Sequence, residues 1–68
     1  MTILLNGRTC ELPAPGTPAG ALAELGLDPG ARGVAVAVDG EVVPRAEWES
    51  LALSEGARVE VLTAMQGG

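Results

Sequence analysis

Two dipeptides in which glycine follows an Asx residue, Asn6-Gly7 and Asp39-Gly40, constrain the fold of this chain more than any other feature of its sequence. A type I′ turn needs positive φ angles at both central residues, and Asn-Gly and Asp-Gly tolerate them best. Each dipeptide stands between short segments of alternating or β-branched apolar residues, which are typical of strands. The sequence therefore predicts two β-hairpins, over residues 2–12 and 34–43.

The two-residue period of a strand predicts which side chains face the core. In the first hairpin Ile3 and Leu5 lie on one face, and Cys10 and Leu12 can share a face of the return strand. In the second hairpin the segment 34–38 presents valines on one face and alanines on the other.

A fifth strand is predicted over residues 58–62, close to the end of the chain. Val59 and Val61 alternate with Glu60 and Leu62, so the two valines face the core and Leu62 points away from it. Leu4 points away in the same manner, between Ile3 and Leu5.

One short helix is predicted between the hairpins. Thr17 followed by Pro18 is typical of an N-cap and first helical residue. Leu22 and Leu25 provide an apolar stripe, and Gly26 marks the C-terminal end. A helix of about two turns is not stable alone, so it must pack on the sheet.

The order is strand, strand, helix, strand, strand, short helical turn, strand, which predicts an α+β fold. It is the order of a β-grasp, or ubiquitin-like, domain: a mixed five-stranded sheet with one main helix packed on one face. In that fold the first and last strands are parallel neighbours. We expect a globular domain over residues 1–63 and a flexible C-terminal tail over residues 64–68, which ends in Gly-Gly. The predicted core consists of Ile3, Leu5, Leu22, Leu25, Val36, Val59 and Val61.

The amino-acid composition excludes most catalytic functions. The chain has no His, Lys, Tyr or Phe, and its single cysteine is Cys10. His-based acid–base catalysis, His/Cys metal sites and an internal disulfide are therefore excluded. A chain of 68 residues buries only roughly 60% of its unfolded surface, which leaves no room for a deep cleft. We predict that the protein is not an enzyme, has no catalytic or metal-binding residues and binds no cofactor.

The charge of the chain favours protein partners. Nine acidic residues against four arginines give a net charge of −5, which repels the phosphates of nucleic acid and suits a partner with a basic surface. No apolar stretch is long enough to cross a membrane, and no N-terminal signal pattern is present. We expect a cytoplasmic protein that binds neither nucleic acid nor membranes.

The terminal dipeptide Gly67-Gly68 is the one feature that indicates chemistry. Because glycine has no Cβ, such a segment can enter a channel too narrow for any side chain. Residues 64–68 extended reach about 17 Å, enough to deliver a terminal carboxylate into the active site of another enzyme. The alternative interpretation is a frayed end without a role.

Three further groups of residues have both a functional and a structural interpretation. Leu4, Leu62 and Met65 are candidates for a surface that binds partner proteins; otherwise they are ordinary surface residues. Cys10 is interpreted as a small apolar side chain of the core rather than the bearer of sulfur. Arg45 and Trp48, three residues apart in the short helical turn, can form a cation–π pair, either as a structural cluster or for docking.

Several motifs together carry a resemblance to a known family. They are I-x-x-N-G (Ile3 to Gly7), T-P…L-x-x-L-G-L (Thr17 to Leu27), V-A-V-x-G-E-V-V-P-R-x-x-W (Val36 to Trp48) and the terminal R-V-E-V-L-T-A-M-Q-G-G. In these motifs, nearly from end to end, the chain resembles the bacterial sulfur carrier proteins of thiamine biosynthesis, within the ubiquitin-like β-grasp carriers.

The resemblance implies a carrier cycle that ends on Gly68. An ATP-dependent, E1-like activating enzyme adenylates the terminal carboxylate of Gly68. Sulfur from a persulfide, which a cysteine desulfurase supplies, replaces AMP and leaves a thiocarboxylate, and thiazole synthase uses that sulfur. Gly67 is then the neighbour that lets Gly68 enter the active site, and ATP belongs to the partner.

Two alternatives stay open at this point. One is a sulfur carrier for molybdopterin synthesis or another thiolation pathway, with the same tail chemistry and a different acceptor. The other is a β-grasp adaptor that only binds a partner. The absence of lysine favours a carrier over a modifier, because the chain cannot form isopeptide chains on its own side chains.

Overall fold

The computed structural model describes residues 1–64. Along the chain it contains β1 (Thr2–Leu5), β2 (Arg8–Glu11), α1 (Pro18–Glu24), β3 (Val34–Val38), β4 (Glu41–Val43), a 3₁₀ turn (Arg45–Glu47) and β5 (Arg58–Thr63). The strands form one sheet in the order β2-β1-β5-β3-β4. β1 and β5 are parallel and the other neighbours are antiparallel. The predicted mixed five-stranded sheet with one helix is therefore confirmed.

Both predicted hairpin turns are present. Asn6 and Gly7 have φ angles of 51° and 82°, and Asp39 and Gly40 have 49° and 86°. Positive φ at both central residues is the mark of a type I′ turn, whose twist matches that of the strands it joins. These turns fix the registers in which Leu5 pairs with Arg8 and Val38 pairs with Glu41.

The helix begins as the sequence predicts. The Thr17 hydroxyl oxygen accepts a hydrogen bond from the backbone N–H of Gly20 at 3.2 Å, and Pro18 occupies the first turn. At the other end the N–H groups of Gly26 and Leu27 donate to the carbonyls of Ala23 and Leu22 at 3.0 and 2.9 Å. This Schellman arrangement satisfies the last carbonyls of α1 and directs the chain back toward the sheet.

The core lies between α1 and one face of the sheet, and the prediction for it holds at every position but one. Ile3, Leu22 and Val59 are completely buried. Leu25, which was predicted in the core, is instead 42% exposed. The reason is that α1 ends at Glu24, so Leu25 is its C-cap and leaves the apolar stripe. Leu27 packs against the core after the Schellman turn.

The irregular segments also contribute buried side chains, which strand and helix periodicity does not predict. These are Leu12, Trp48, Leu53 and Ala57. The indole N–H of Trp48 donates to the carbonyl oxygen of Val43 at 2.9 Å, so the ring is buried without an unpaired donor. Trp48 therefore closes the end of the core beside α1, where its carbonyl accepts from the N–H of Ala19 at 2.8 Å.

Candidate functional site

The C-terminal segment follows β5, the central strand of the sheet. Two contacts hold the end of this strand. On the β1 side the Asn6 side chain accepts from the N–H of Val61 at 2.8 Å and donates to its carbonyl at 3.3 Å. On the β3 side the N–H of Ala64 donates to the carbonyl of Gly33 at 2.6 Å. The chain is thus held by backbone pairing up to its last described residue.

The residues predicted to carry or assist the chemistry, Gly67 and Gly68, lie outside the described residues, as does Met65 of the predicted docking surface. Ala64, whose side chain is exposed, separates them from β5.

One face of the sheet is not covered by any element among residues 1–64, and it carries an apolar patch. Leu62 and Val42 are 69% and 77% exposed. They flank two small residues of β3, since Leu62 pairs with Ala35 and Val42 pairs with Ala37. We call these four residues, Ala35, Ala37, Val42 and Leu62, the alanine-floored patch; it adjoins the C-terminal end of β5.

Leu4 lies on the same face but apart from this patch. It is 41% exposed and pairs with Arg58 in the parallel register of β1 and β5. Leu62 is four positions beyond Arg58 along β5, so Leu4 and Leu62 are about 13 Å apart along the strand direction. Glu60 and Arg58 fill the interval on β5, so the two predicted docking leucines do not form one continuous apolar surface. Their role in docking stays a prediction.

Cys10 is only partly buried, at the edge of the core against which it packs. Its thiol is 3.9 Å from Oε1 of Glu24 and 3.7 Å from the carbonyl of Glu11. Desolvation, followed by the carboxylates of Glu24 and Glu11, raises the pKa of this thiol above its ordinary value. Its surroundings thus favour the neutral thiol over the nucleophilic thiolate.

Arg45 and Trp48 form the cation–π pair that their spacing predicts, with the guanidinium carbon 4.4 Å from the ring centroid. The guanidinium also donates to the carbonyls of Pro29 and Ala31, the latter at 2.6 Å. The pair borders an open depression of about 570 Å³, whose other wall is residues 28–30. The pair therefore joins the 3₁₀ turn to the segment between α1 and β3.

Within residues 1–64, no group of three or more His, Cys, Asp or Glu side chains is arranged to hold a metal ion. In the same range, no helix has the length and apolar character needed to cross a membrane. The candidate site consists of the alanine-floored patch and the C-terminal end of β5, which Asn6 and Gly33 hold.

Comparison with known proteins identifies the family of this chain. A sequence model of the ThiS family matches residues 3–68. The chain belongs to the ThiS family. It is also similar to the crystal structure of the thiamine biosynthesis protein ThiS from Geobacter metallireducens, with 27% identity, a TM-score of 0.74 and 100% of both chains covered. No curated protein sequence matches the chain.

Membership of the ThiS family confirms the resemblance seen in the sequence. The protein is a sulfur carrier of thiamine biosynthesis with the ThiS β-grasp fold, and it is not a catalyst. This result decides against the molybdopterin carrier and the adaptor. A ThiS-family chain is expected to bind no cofactor of its own and to work with partner enzymes of thiamine biosynthesis.

Proposed function

We propose that Gly68 is the residue that carries the sulfur. Its terminal carboxylate attacks the α-phosphate of ATP on an activating enzyme, which releases pyrophosphate and leaves an acyl adenylate. The outer sulfur of a persulfide, formed by a cysteine desulfurase, then attacks the acyl carbon, and AMP leaves. A second thiol cleaves the resulting acyl disulfide and becomes oxidised to a disulfide, while Gly68 keeps one sulfur as a thiocarboxylate. Thiazole synthase takes that sulfur.

The sequence of residues 65–68 supports this proposal. A carboxylate is a poor electrophile, so it has to be activated in the active site of an enzyme. Gly67 and Gly68 have no Cβ, so the channel that leads to this active site can be narrow. Four residues follow Ala64, the last described residue, whose N–H donates to the carbonyl of Gly33; fully extended, these four residues span about 14 Å. A globule that stays outside the partner can therefore present Gly68 well inside it.

The uncovered sheet face supports a docking role close to that tail. We propose that the activating enzyme contacts Leu62 first of all, with Leu4 and Met65 as further contacts. The exposed branched side chains of Leu62 and Val42, each beside an alanine of β3, offer apolar area to a partner. The acidic net charge of −5 favours a partner whose rim is basic.

Intact-mass measurement tests the proposed chemistry. The protein is incubated with its activating enzyme, ATP, the desulfurase, cysteine and a reducing thiol, and ATP is omitted from the control. We expect the mass to rise by one oxygen-to-sulfur exchange, and fragmentation to locate the change on Gly68. A variant without Gly68 presents Gly67 about 3.5 Å short of the active site and should not react. Sulfur on another residue, or equal activation of the truncated protein, would contradict the proposal.

A further inference from the structure

The pair Arg45 and Trp48 is not part of the proposed carrier chemistry, yet its contacts lead to the base of the tail. We propose that Arg45 is a positioning residue: stacked on Trp48, it holds the connector 28–33, whose Gly33 fixes Ala64, the residue on which segment 65–68 follows. This inference rests on the proposed function of Gly68 for its consequence, but its structural part can be tested without it.

The first step is that Trp48 gives Arg45 a rigid platform. Trp48 is 2% exposed, and its indole N–H is bonded to the Val43 carbonyl, so the orientation of the ring is fixed by the core. The guanidinium of Arg45 lies 4.4 Å from the centroid of this ring. Stacking restricts the guanidinium to one plane and so orders the donors along its edge.

The second step is that Arg45 holds the connector. Residues 28–33 join α1 to β3 and contain no helix or strand. Within the connector, Asp28 accepts hydrogen bonds from the N–H groups of Gly30 and Ala31, both at 2.8 Å. Two carbonyls of the connector accept hydrogen bonds from Arg45: that of Pro29 from Nη1 and that of Ala31 from Nη2. One planar side chain thus fixes two carbonyls, which a lysine ammonium cannot do in the same geometry.

The third step leads from the connector to the tail. Gly33 lies two residues after Ala31, and its carbonyl oxygen accepts a hydrogen bond from the N–H of Ala64 at 2.6 Å. Their backbones approach so closely that a Cβ on Gly33 would lie 3.1 Å from the Cβ of Ala64. Gly33 also has a φ of +72°, which a side chain disfavours. The position of Gly33 therefore decides where Ala64, the last described residue, lies.

The consequence concerns activation by the partner enzyme. A reacting carboxylate must be held within a fraction of an ångström of its attack geometry, and a shift of about 1 Å can lower a rate by about 100-fold. Residues 65–68 follow directly on Ala64, so we expect that loosening Ala64 places Gly68 less accurately in the active site of the partner, while the alanine-floored patch stays unchanged. The rate of adenylation in the docked complex should fall, whereas docking itself should not weaken.

Arg45→Met tests the proposal, with Arg32→Met as the matched control. Methionine keeps an unbranched stem over Trp48 and removes the guanidinium donors. Arg32 is an exposed arginine of the same connector that makes no hydrogen bond or ion pair within residues 1–64, and its replacement removes the same charge. Amide exchange by NMR and adenylation kinetics are measured for both variants and for the original chain.

In Arg45→Met we expect the Ala64 amide to exchange roughly fivefold faster, the factor that corresponds to one net hydrogen bond. Amides of the distant β1–β2 hairpin should keep their rates. The kcat of adenylation should fall roughly tenfold at unchanged KM. Arg32→Met should change neither quantity. A uniform increase of exchange over the whole sheet, or a rise in KM at constant kcat, would overturn the proposal, because Arg45 would then act on stability or on docking.

Gly33→Ala provides a second test that leaves Arg45 intact. Its Cβ displaces Ala64, so kcat should fall as in Arg45→Met, and the double variant with Ala64→Gly, which removes the opposing Cβ, should recover part of it. No recovery, together with an unchanged Ala64 exchange rate in both single variants, would refute the inference. If the original chain is not adenylated at all, the proposed function fails, and the exchange data still decide whether Arg45 holds Ala64.

Discussion

Leu62→Ala should weaken binding to the activating enzyme by an amount that the exposure of this residue sets. The change removes three carbon atoms, each of which contributes about 0.8 kcal/mol when it is fully buried. Leu62 is 69% exposed in the free domain, so an interface that covers it loses about 1.7 kcal/mol, or about 15-fold in Kd. The same calculation for Leu4, at 41% exposure, gives about 1 kcal/mol and fivefold.

Leu25 offers a matched control on the opposite side of the molecule. It is 42% exposed, nearly the same as Leu4, but it caps α1 on the covered side of the sheet. Leu25→Ala removes the same three carbons and should leave the Kd unchanged. A comparison of the Kd values of Leu4→Ala and Leu25→Ala therefore shows whether the effect depends on the face of the sheet or on the loss of any exposed leucine.

Isothermal titration calorimetry without ATP measures the docking step alone. The circular dichroism spectrum and the thermal midpoint of each variant check that the fold is kept, since exposed substitutions change stability by less than about 1 kcal/mol. Equal affinities for Leu62→Ala and Leu25→Ala would refute the assignment of docking to the uncovered sheet face. If Leu4→Ala weakened binding more than Leu62→Ala, the exposure of a leucine in the free domain would not determine its contribution to docking.

Three further predictions concern the thiol, the core and the tail. Cys10→Ser should still accept sulfur at its C-terminus, and loss of thiolation in a folded variant would contradict this prediction. In the original chain the raised pKa of the Cys10 thiol should make its alkylation at neutral pH slower than that of a small free thiol, and the rate should rise only in more alkaline solution. Leu22→Ala should lower the free energy of unfolding by about 2–5 kcal/mol, measured in urea by the fluorescence of Trp48, and a loss below about 1 kcal/mol would contradict the burial of Leu22. Gly67→Val should slow adenylation while the thermal midpoint stays unchanged, and an unaltered rate would argue against a narrow entry channel.

Local signals in the sequence account for most of the fold. Asn6-Gly7 and Asp39-Gly40 fix their hairpins through their own φ angles, and Thr17 caps α1 through its own side chain. Such features depend on a few neighbouring residues, so the sequence predicts them without knowledge of the rest of the fold. The family motifs, which run over nearly the whole chain, predicted the sulfur carrier function that the ThiS match confirms.

Features that depend on distant residues could not be predicted in the same way. The separation of Leu4 from Leu62 follows from the register of β1 against β5, which a pairing between the two ends of the chain sets. The hydrogen bond of Ala64 to Gly33 depends likewise on the register of β3 against β5. The exposure of Leu25 depends on the residue at which α1 ends, and helix ends are the least certain part of any periodic pattern. The alternation of Val42 with the buried Val43 predicts that Val42 is exposed, but its pairing with Ala37 depends on the register of β3 against β4.

Transfer of labelled sulfur tests the central claim most directly. The protein is loaded with radioactive sulfur from labelled cysteine, separated from the activating enzyme, the desulfurase and the free label, and mixed with thiazole synthase and its other substrates. We expect the label to leave the protein and to appear in the thiazole product in equal amount, and the chain without Gly68 to deliver none. Label that stays on the protein, or thiazole that forms unlabelled at the same rate, would contradict its role as the sulfur carrier.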